Sequence, residues 1–258
     1  ISACLVGSEM CIRDRILKVA RLGYDGKGQA RVHTCAEALA AFEEFGAVPC
    51  VLEAMLDLQE ELSVVMARGL DGQCKVFPVA SNVHDHGILA VSTVDIQPTP
   101  FAQRATQAAL AIANGLKYQG VLCVEFFILR DGQLLVNEIA PRPHNSGHYT
   151  MNSCVTSQFE QQARVMARLP LGSTQLLTPV VMLNILGDAW YTDETDTQTE
   201  PDWSGVLAVQ GASLHLYGKR EARRGRKMGH VNCVGNTLAE AIAAANRVVS
   251  LLRLPVAP

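Results

Sequence analysis

The sequence has 258 residues, of which 48% are hydrophobic and 18% charged, with a formal net charge of −3. This composition is typical of an ordinary globular protein, and the charge lacks the basic excess expected of a nucleic-acid-binding protein. No apolar run in the sequence approaches the roughly 20 residues that a membrane-spanning helix needs. The eight cysteines form no C-x-x-C pair, which predicts reduced thiols in a cytoplasmic protein.

The first fifteen residues, ISACLVGSEMCIRDR, fit neither a strand nor an amphipathic helix. They also lack the basic start, apolar centre and small-residue cleavage site of a signal peptide. The stretch is typical of translated library-adaptor sequence. We therefore predict that residues 1–15 are a non-native segment.

Short strands and capped helices follow. A strand-like run at 15–20 leads into a glycine-rich loop, and Thr34 with Glu37 forms a capping box that begins a helix. Another strand-like run lies at 48–56, before a hairpin over 61–80 that turns at Asp71-Gly72.

The second half of the chain continues this alternation. A strand pair is predicted near 84–94, a helix from Pro100 to about Tyr118, and a clear hairpin over 121–139. Later elements are helices capped at Ser157 and Thr237 and three strands between them. The mixture predicts an α+β architecture with antiparallel sheets.

The loop GYDGKGQ, residues 23–29, contains glycines that let backbone N–H groups approach phosphate oxygens closely. It matches neither the P-loop nor the dinucleotide-binding pattern, and a plain hairpin turn is the alternative. Lys18, inside the preceding apolar strand, must reach water or meet an anion.

The hairpin at 121–139 gives a stronger signal. A two-residue turn at Asp131-Gly132 places Glu125 directly opposite Glu138. Like charges in that position destabilise a sheet, and a shared Mg²⁺ completed by phosphate oxygens resolves the conflict. The alternatives are a slipped register, or neutralisation of the pair by Arg68 or Arg142.

The segment APRPHNSGHYT follows this hairpin and places Arg142, His144, Asn145 and Ser146 in a stretch stiffened by two prolines. Such a donor-rich loop suits an anionic ligand, and a hydrogen-bonded loop with capping roles is the alternative. The basic run at 217–230 is by itself more typical of a solvated turn.

Six segments occur in an order and spacing that resemble the N5-carboxyaminoimidazole ribonucleotide synthetase family of ATP-grasp ligases, in purine biosynthesis. They are LKVARLGYDGKGQ, VLEAML, VEFF, VNEIAPRPHNSGHYT, SQFE and YGKREARRGRKMGH. The resemblance implies ATP-dependent carboxylation of 5-aminoimidazole ribonucleotide by bicarbonate, with release of ADP and phosphate. It implies ATP and Mg²⁺ as cofactors, with Mn²⁺ as an alternative metal.

The resemblance also implies an ATP-grasp fold with a lid subdomain at 16–56, a core with the metal site at 57–175 and a small β-rich C-terminal domain at 176–258. The family's N-terminal Rossmann-like domain is missing, so we expect little activity from this chain alone. Full-length members are expected to be cytoplasmic homodimers that act on small molecules, without nucleic-acid or membrane partners.

Matched position by position, the resemblance assigns contacts with ATP to the lid, the hinge and the core. Lys18 corresponds to the lid lysine on the ATP phosphates, and the closing loop comprises Tyr24, Asp25, Gly26, Lys27, Gly28 and Gln29. The adenine hinge comprises Glu53, Ala54, Met55 and Leu56. Further nucleotide contacts are Glu61 at the ribose, His84, Asn137 and Glu138, although strict strand alternation directs Asn137 to the opposite face from Glu138.

The remaining assignments concern the metal, the carboxylation and the substrate. Glu125 and Glu138 match the metal ligands. Catalytic roles at the bicarbonate and aminoimidazole end are implied for Tyr24, Asp25, Lys27, Arg142, His144 and Asn145. A grip on the ribonucleotide phosphate is implied for Lys219, Arg226 and Lys227. The alternatives are another ATP-grasp carboxylase or ligase, and an inactive nucleotide-binding fragment.

Overall fold

A computed structural model of the chain describes residues 14–21, 23, 28–191 and 197–258. The loop residues Tyr24, Asp25, Gly26 and Lys27 therefore lie outside the described residues, as do residues 1–13. The chain divides into two compact units. The first extends to Asp57 and includes residues 86–88, and the second contains the rest.

The first unit is a three-stranded antiparallel sheet with one helix. Its elements are β1 (Arg15–Val19), β2 (Gln29–Val32), α1 (Cys35–Glu44) and β3 (Cys50–Ala54), with strand order β2-β1-β3. Thr34 caps α1 by accepting a hydrogen bond from the Glu37 backbone, as the sequence predicts. The core is small and consists of Leu17 and Val32 from the sheet and Ala38 and Ala41 from the helix.

Two residues of the predicted non-native segment belong to this unit. Arg15 opens β1 and pairs with Val32 on one side and Ala54 on the other. The Asp14 carbonyl accepts a hydrogen bond of 2.8 Å from the Met55 backbone. The sheet therefore begins before Ile16, because its hydrogen-bonding pattern uses the backbone of these two residues.

Gly28, which precedes β2, has φ +73°, and a Cβ added there would lie 2.5 Å from Val19 Cγ2. Its carbonyl accepts a hydrogen bond from the Val19 backbone, so the strand ends are held close together.

We expect Gly28→Ala to reduce the free energy of unfolding by about 1–2 kcal/mol from the backbone conformation alone, and the clash with Val19 should add to this loss. Urea unfolding measures this loss. Gly46→Ala is the control, because Gly46 has a similar φ of +77° but no atom within 4 Å of an added Cβ, and equal losses in the two variants would contradict the role of the contact.

The second unit contains a nine-stranded sheet and five helices among the described residues. The strands are β4 (Leu58–Arg68), β5 (Cys74–Val76), β6 (Ala80–Asp85), β7 (Ile88–Val94), β8 (Gly120–Leu129), β9 (Leu134–Ala140), β10 (Val180–Leu186), β11 (Ala212–Leu216) and β12 (Lys227–Val234). The helices are α2 (Ala102–Gly115), α3 (Thr150–Ser153), α4 (Gln158–Met166), α5 (Trp203–Leu207) and α6 (Leu238–Leu252). The strand order is β11-β12-β10-β7-β6-β4-β8-β9, with β5 on β4.

Strand alternation gives β4 and β8 two apolar faces. Leu62, Val64 and Met66 pack in one cluster with the alanines of α2. Val65 and Ala67 belong to a separate cluster that contains Tyr149. This second face, on which odd-numbered residues of β4 lie, also holds the polar groups described below.

The C-terminal strands extend the same sheet. Val180 in β10 pairs with Val94 in β7 and with Val234 in β12. Residues 176–258 therefore continue the sheet of the core, because the pairing of β10 with β7 joins them edge to edge. No helix of the described ranges is both long and apolar enough to cross a membrane.

Candidate active site

In the first unit, two residues with predicted ATP contacts form an ion pair with each other. Lys18 Nζ lies 2.6 Å from Glu53 Oε2, and both side chains are partly exposed. Lys18 is opposite Gln29 on β2 and Val51 on β3, so Glu53 is its diagonal neighbour on the same sheet face. Of the two outcomes that the sequence allows for Lys18, water or an anion, the structure shows contact with the Glu53 carboxylate.

The predicted adenine hinge directly precedes the boundary of this unit at Asp57. Ala54 is the last residue of β3, and Met55 is held through its backbone while its side chain is 37% exposed. An exposed apolar side chain beside backbone groups is suited to packing against a purine base.

In the second unit, Glu125 of β8 lies directly opposite Glu138 of β9, as the sequence predicts. The route to this pairing differs from the prediction. The Leu129 and Gln133 backbones close a three-residue loop in which Gly132 has φ +81°. The prediction of a two-residue turn is therefore wrong. The longer loop shifts the strand register by one residue, and a β-bulge between Glu125 and Phe126 shifts it back.

The bulge also changes the expectation that Asn137 faces away from Glu138, which assumed strict strand alternation. Val136 pairs with Phe126 and Glu138 with Glu125, so Asn137 is the extra residue of β9. Strict alternation no longer applies at a bulge, which redirects side chains locally. Asn137 is half-buried and its neighbour Glu138 is exposed.

Glu125 is a mostly buried carboxylate with several ionisable groups around it. Burial raises its pKa to about 6, with His84 opposing and Glu138 and Glu61 adding to the increase. Repulsion from Glu138 is therefore present as expected, but burial is the larger cause. Its Oε1 atom is buried and has no hydrogen-bond partner in the described part of the chain.

Glu61 and His84 form the neighbouring pair of this site. His84 Nδ1 lies 2.9 Å from Glu61 Oε2, and both side chains are mostly buried. Burial lowers the pKa of His84, but the contact and charge of Glu61, with the charge of Glu125, more than reverse this effect. The net result is a raised pKa of His84 beside two carboxylates.

The residues present fit a Mg²⁺ ion that is shared with a ligand. In the described ranges, no group of three or more His, Cys, Asp and Glu residues has the geometry to hold a metal. Mg²⁺ is commonly bound by one or two carboxylates together with phosphate oxygens and water. The opposed Glu125 and Glu138 match that donor set, since Oε1 of Glu125 has no hydrogen-bond partner among the described residues.

The loop after β9 contributes His144 and Asn145. Burial, with Arg142 and Lys227 adding to it, lowers the pKa of His144 to about 3. His144 is therefore neutral, and its Nδ1, which lies 3.8 Å from Glu125 Oε1, forms no ion pair.

Both polar atoms of the Asn145 amide are buried without a partner among the described residues. Arg142 is exposed and donates to the Pro143 carbonyl.

The basic segment approaches this loop through Lys227. Its charge lowers the pKa values of Glu125 and His84, so it acts on these two groups of the site. Lys219 Nζ donates to the Lys227 carbonyl at 2.5 Å. The exposed Arg226 guanidinium donates to the Glu221 carbonyl. The structure therefore places the Lys219 ammonium at the backbone of Lys227.

Sequence reasoning missed several polar residues on this sheet face. Ser63, opposite Glu125 on β4, is 1% exposed, and its hydroxyl has no partner in the described residues. The sequence pattern that could have identified Ser63 is a single serine within an apolar strand. Gln158 and the adjacent rings of His148 and His230, whose centroids are 4.7 Å apart, have no comparable pattern in the sequence, because distant segments bring them together.

The buried histidines make the chain sensitive to acid. Burial, with Lys227 and His215 adding to it, lowers the pKa of His148 to about 4 from 6.5. The unfolded chain then binds more protons than the folded chain below pH 6.5, so the free energy of unfolding falls between pH 6.5 and 4. The loss from His148 is on the order of 2–3 kcal/mol. Glu125 acts oppositely between pH 6 and 4.5, because its pKa is raised in the fold.

Urea unfolding at several pH values measures this dependence. His148→Gln removes the titrating imidazole and keeps an oxygen that accepts a hydrogen bond. We expect this variant to lose less stability than the unaltered chain between pH 6.5 and 4. An identical pH dependence in the two proteins would contradict the role of His148.

A family model of the ATP-grasp domain matches residues 11–159, more than half of the chain. The chain belongs to the ATP-grasp family. The predicted fold class is thereby confirmed, and a model of the phosphoribosylaminoimidazole carboxylase C-terminal domain matches residues 180–244.

Three similar proteins carry related names. The N5-carboxyaminoimidazole ribonucleotide synthase of Brucella melitensis is 47% identical over 219 residues, which are 84% of this chain and 58% of that protein. The Thermus thermophilus N5-carboxyaminoimidazole ribonucleotide synthetase structure has a TM-score of 0.81 and 36% identity, covering 94% of this chain and 63% of its own. The Aspergillus clavatus N5-carboxyaminoimidazole synthase, in complex with ADP and 5-aminoimidazole ribonucleotide, has a TM-score of 0.80 and 28% identity, covering 93% and 62%.

These comparisons confirm the predicted resemblance. The chain spans about three fifths of the length of each of these relatives.

Proposed function

We propose that the chain contributes the ATP-grasp and C-terminal parts of an enzyme that carboxylates 5-aminoimidazole ribonucleotide in purine biosynthesis. The substrates are ATP, bicarbonate and the ribonucleotide, and the products are N5-carboxyaminoimidazole ribonucleotide, ADP and phosphate. The observation that carries the proposal is the polar cluster of the second unit. There Glu125 is opposed to Glu138, the Asn145 amide has no partner in the described part of the chain, and the charge of Lys227 acts on Glu125.

In the first step, a bicarbonate oxygen attacks the γ-phosphorus of ATP, the bond to the β-phosphate oxygen breaks, and ADP leaves with carboxyphosphate as the other product. Glu125 and Glu138 would hold Mg²⁺, which would supply positive charge to the transferring phosphoryl group. We assign binding of bicarbonate to Arg142 and Asn145. Neutral His144 takes part by hydrogen bonding, because its pKa of about 3 prevents it from acting as a cation at pH 7.

In the second step, the exocyclic amine of the ribonucleotide attacks the carboxyl carbon of carboxyphosphate, or CO₂ released from it. The carbon–oxygen bond to phosphate breaks, phosphate leaves, and the amine gives up one proton. Lys227 and Lys219 are proposed to bind the ribonucleotide phosphate, because the Lys219 ammonium lies at the Lys227 backbone and both side chains carry positive charge, which attracts a dianion. Arg226 is proposed as a third contact that exchanges the Glu221 carbonyl for the phosphate.

In the first unit, we propose that Lys18 exchanges the Glu53 carboxylate for a phosphate oxygen of ATP, since both side chains are partly exposed. Met55 and its neighbours are proposed to contact adenine. Residues 24–27 of the closing loop at 24–29 lie outside the described residues, and we propose that the loop excludes water from the easily hydrolysed carboxyphosphate.

The proposed reaction is tested by measuring ADP release with Mg²⁺, ATP and bicarbonate, with and without 5-aminoimidazole ribonucleotide. Because the chain spans 58% of the Brucella relative, it is assayed alone and joined to the residues that this relative carries outside the matched stretch. The joined protein is called the completed enzyme below. We expect the ribonucleotide to stimulate ADP release in the completed enzyme and the chain alone to show little turnover.

The same assay separates the alternatives. Stimulation by glycinamide ribonucleotide with formate, or by biotin, would contradict the proposed substrate and favour another ATP-grasp enzyme. Binding of ATP without any turnover in the completed enzyme would favour a non-catalytic nucleotide-binding module.

A further inference from the structure

Gln158, the first residue of α4, is a fully buried amide that holds the loop carrying His144 and Asn145. Its Oε1 accepts a hydrogen bond of 2.9 Å from the His144 backbone N–H. Its Nε2 donates to the His144 carbonyl at 2.7 Å and lies 3.0 Å from His148 Nδ1. All three contacts are made to one loop.

The backbone partners determine which way this amide points. A backbone N–H only donates and a carbonyl only accepts, so the oxygen and nitrogen of Gln158 cannot be exchanged. The second amide hydrogen is therefore directed at His148, whose Nδ1 must accept it. His148 is thus held as the neutral tautomer with its proton on Nε2.

The loop fits closely against this amide. A Cβ added to Gly147 would lie 2.6 Å from Gln158 Oε1 and 2.8 Å from its Cδ. Thr150 completes the contact, since its hydroxyl donates to the Gly147 carbonyl and accepts from the Gln158 backbone. The backbone of residues 144–150 is therefore fixed by hydrogen bonds at both ends.

His148 connects the same loop to the strand that begins with Lys227. Its ring packs against the ring of His230 of β12 at an interplanar angle of 33°, and its carbonyl accepts a hydrogen bond of 3.0 Å from Asn232 Nδ2. His230 is itself 2% exposed and lies 2.9 Å from the Tyr217 hydroxyl through Nδ1. Gln158 thereby fixes the loop relative to β12.

Within this rigid loop, the Asn145 amide alone keeps both polar atoms buried and unpaired in the described structure. Leaving buried polar atoms without partners is unfavourable, so a loop held in this state is suited to a ligand that supplies them. We propose that Gln158 is a positioning residue, whose amide holds the 144–148 loop so that Asn145 meets the carboxylation end of the ribonucleotide while Lys227 meets its phosphate. This inference rests on the proposed carboxylation.

Two matched variants of the chain test the proposal. Gln158→Met removes all three contacts at nearly constant volume. Gln161→Met is the control, because Gln161 is equally buried on the same helix and clamps the backbone N–H and carbonyl of Gly172 through two hydrogen bonds. We expect similar decreases in melting temperature, but affinity for 5-aminoimidazole ribonucleotide, measured by calorimetry, should fall about 10- to 100-fold only in Gln158→Met.

A second variant gives a signature independent of activity. Gln158→Glu replaces the amide hydrogen facing His148 with an oxygen, so His148 should take a proton on Nδ1 and its pKa should rise from about 4 to above 6.5. The ¹⁵N signals of the ring report both changes. The Gln161→Glu control should leave them as they are in the unaltered chain.

The outcomes separate this inference from the function on which it rests. Failure of both the unaltered chain and the completed enzyme to bind the ribonucleotide contradicts the proposed function. If only the completed enzyme binds it, the variants are compared in that protein. Binding by the unaltered chain with equal losses in the two methionine variants overturns only the role of Gln158. An unchanged tautomer of His148 in Gln158→Glu overturns the contact on which the inference depends.

Discussion

Glu138→Gln is expected to abolish Mg²⁺-dependent ATP cleavage in the completed enzyme while leaving the fold of the chain intact or slightly more stable. Glutamine keeps the size of the side chain but removes the charge that faces Glu125 across the hairpin. A cation bridge to the transferring phosphoryl group contributes several kcal/mol, so ADP release should fall by at least about a few hundred-fold. The measurement is ADP release at saturating Mg²⁺ and ATP.

The same substitution has a consequence that needs no turnover. Glu138 is one of the charges that raise the pKa of Glu125, so its loss should lower that pKa from about 6. Carboxyl signals of the isolated chain, followed by NMR through a pH titration, report this change. Repulsion between the strands decreases as well, so urea unfolding without metal should show equal or greater stability.

Glu60→Gln is the matched control. Glu60 is a glutamate of β4, one residue before Glu61, and it accepts a hydrogen bond from the Ser81 hydroxyl. Glutamine retains that acceptor, so Mg²⁺-dependent turnover should stay near normal. A Glu138→Gln enzyme that keeps near-normal turnover would contradict the metal site, and so would a pKa of Glu125 that does not move.

The hairpin of these two glutamates shows which parts of the site the sequence can predict. Alternation and a turn signal at Asp131-Gly132 suffice for two antiparallel strands. The pairing of Glu125 with Glu138 is correct only because two local departures cancel. A three-residue loop shifts the register by one, and the bulge at Asn137 shifts it back. Neither departure is visible in the polar and apolar pattern.

Local signals were sufficient for the helix caps. Thr34, Ser157 and Thr237 each accept a backbone hydrogen bond from the residue three positions later, because capping depends only on neighbouring residues. The contacts of Gln158 depend on how α4 packs beneath a loop more than ten residues earlier. Such packing is fixed by tertiary structure, so the sequence alone predicts the cap at Ser157 and gives no role to the glutamine beside it.

The basic segment illustrates the same limit. As a run of charges it indicates a solvated turn, and the resemblance alone gave Lys219, Arg226 and Lys227 a common role. The fold distinguishes them, because the charge of Lys227 affects Glu125 and His84. Arg226 instead donates to the carbonyl of Glu221 in its own turn.

Lys227→Met is therefore expected to weaken ribonucleotide binding more than Arg226→Met does. Loss of a charge-assisted contact to phosphate costs about 1.5–3 kcal/mol, which raises the dissociation constant of 5-aminoimidazole ribonucleotide roughly 10- to 150-fold. Affinity for ATP should change less, because the proposed contacts of Lys227 are with the ribonucleotide phosphate. Calorimetry with each nucleotide measures the two affinities separately.

A pH titration provides a second measurement for Lys227→Met. The Lys227 charge lowers the pKa values of Glu125 and of His148, so both should rise when methionine replaces it. Lys75→Met, on the exposed position of β5, is the control and should change neither the ribonucleotide affinity nor these pKa values. If both variants weakened binding of the ribonucleotide equally, the effect would come from net charge, and the proposed phosphate contact would be wrong.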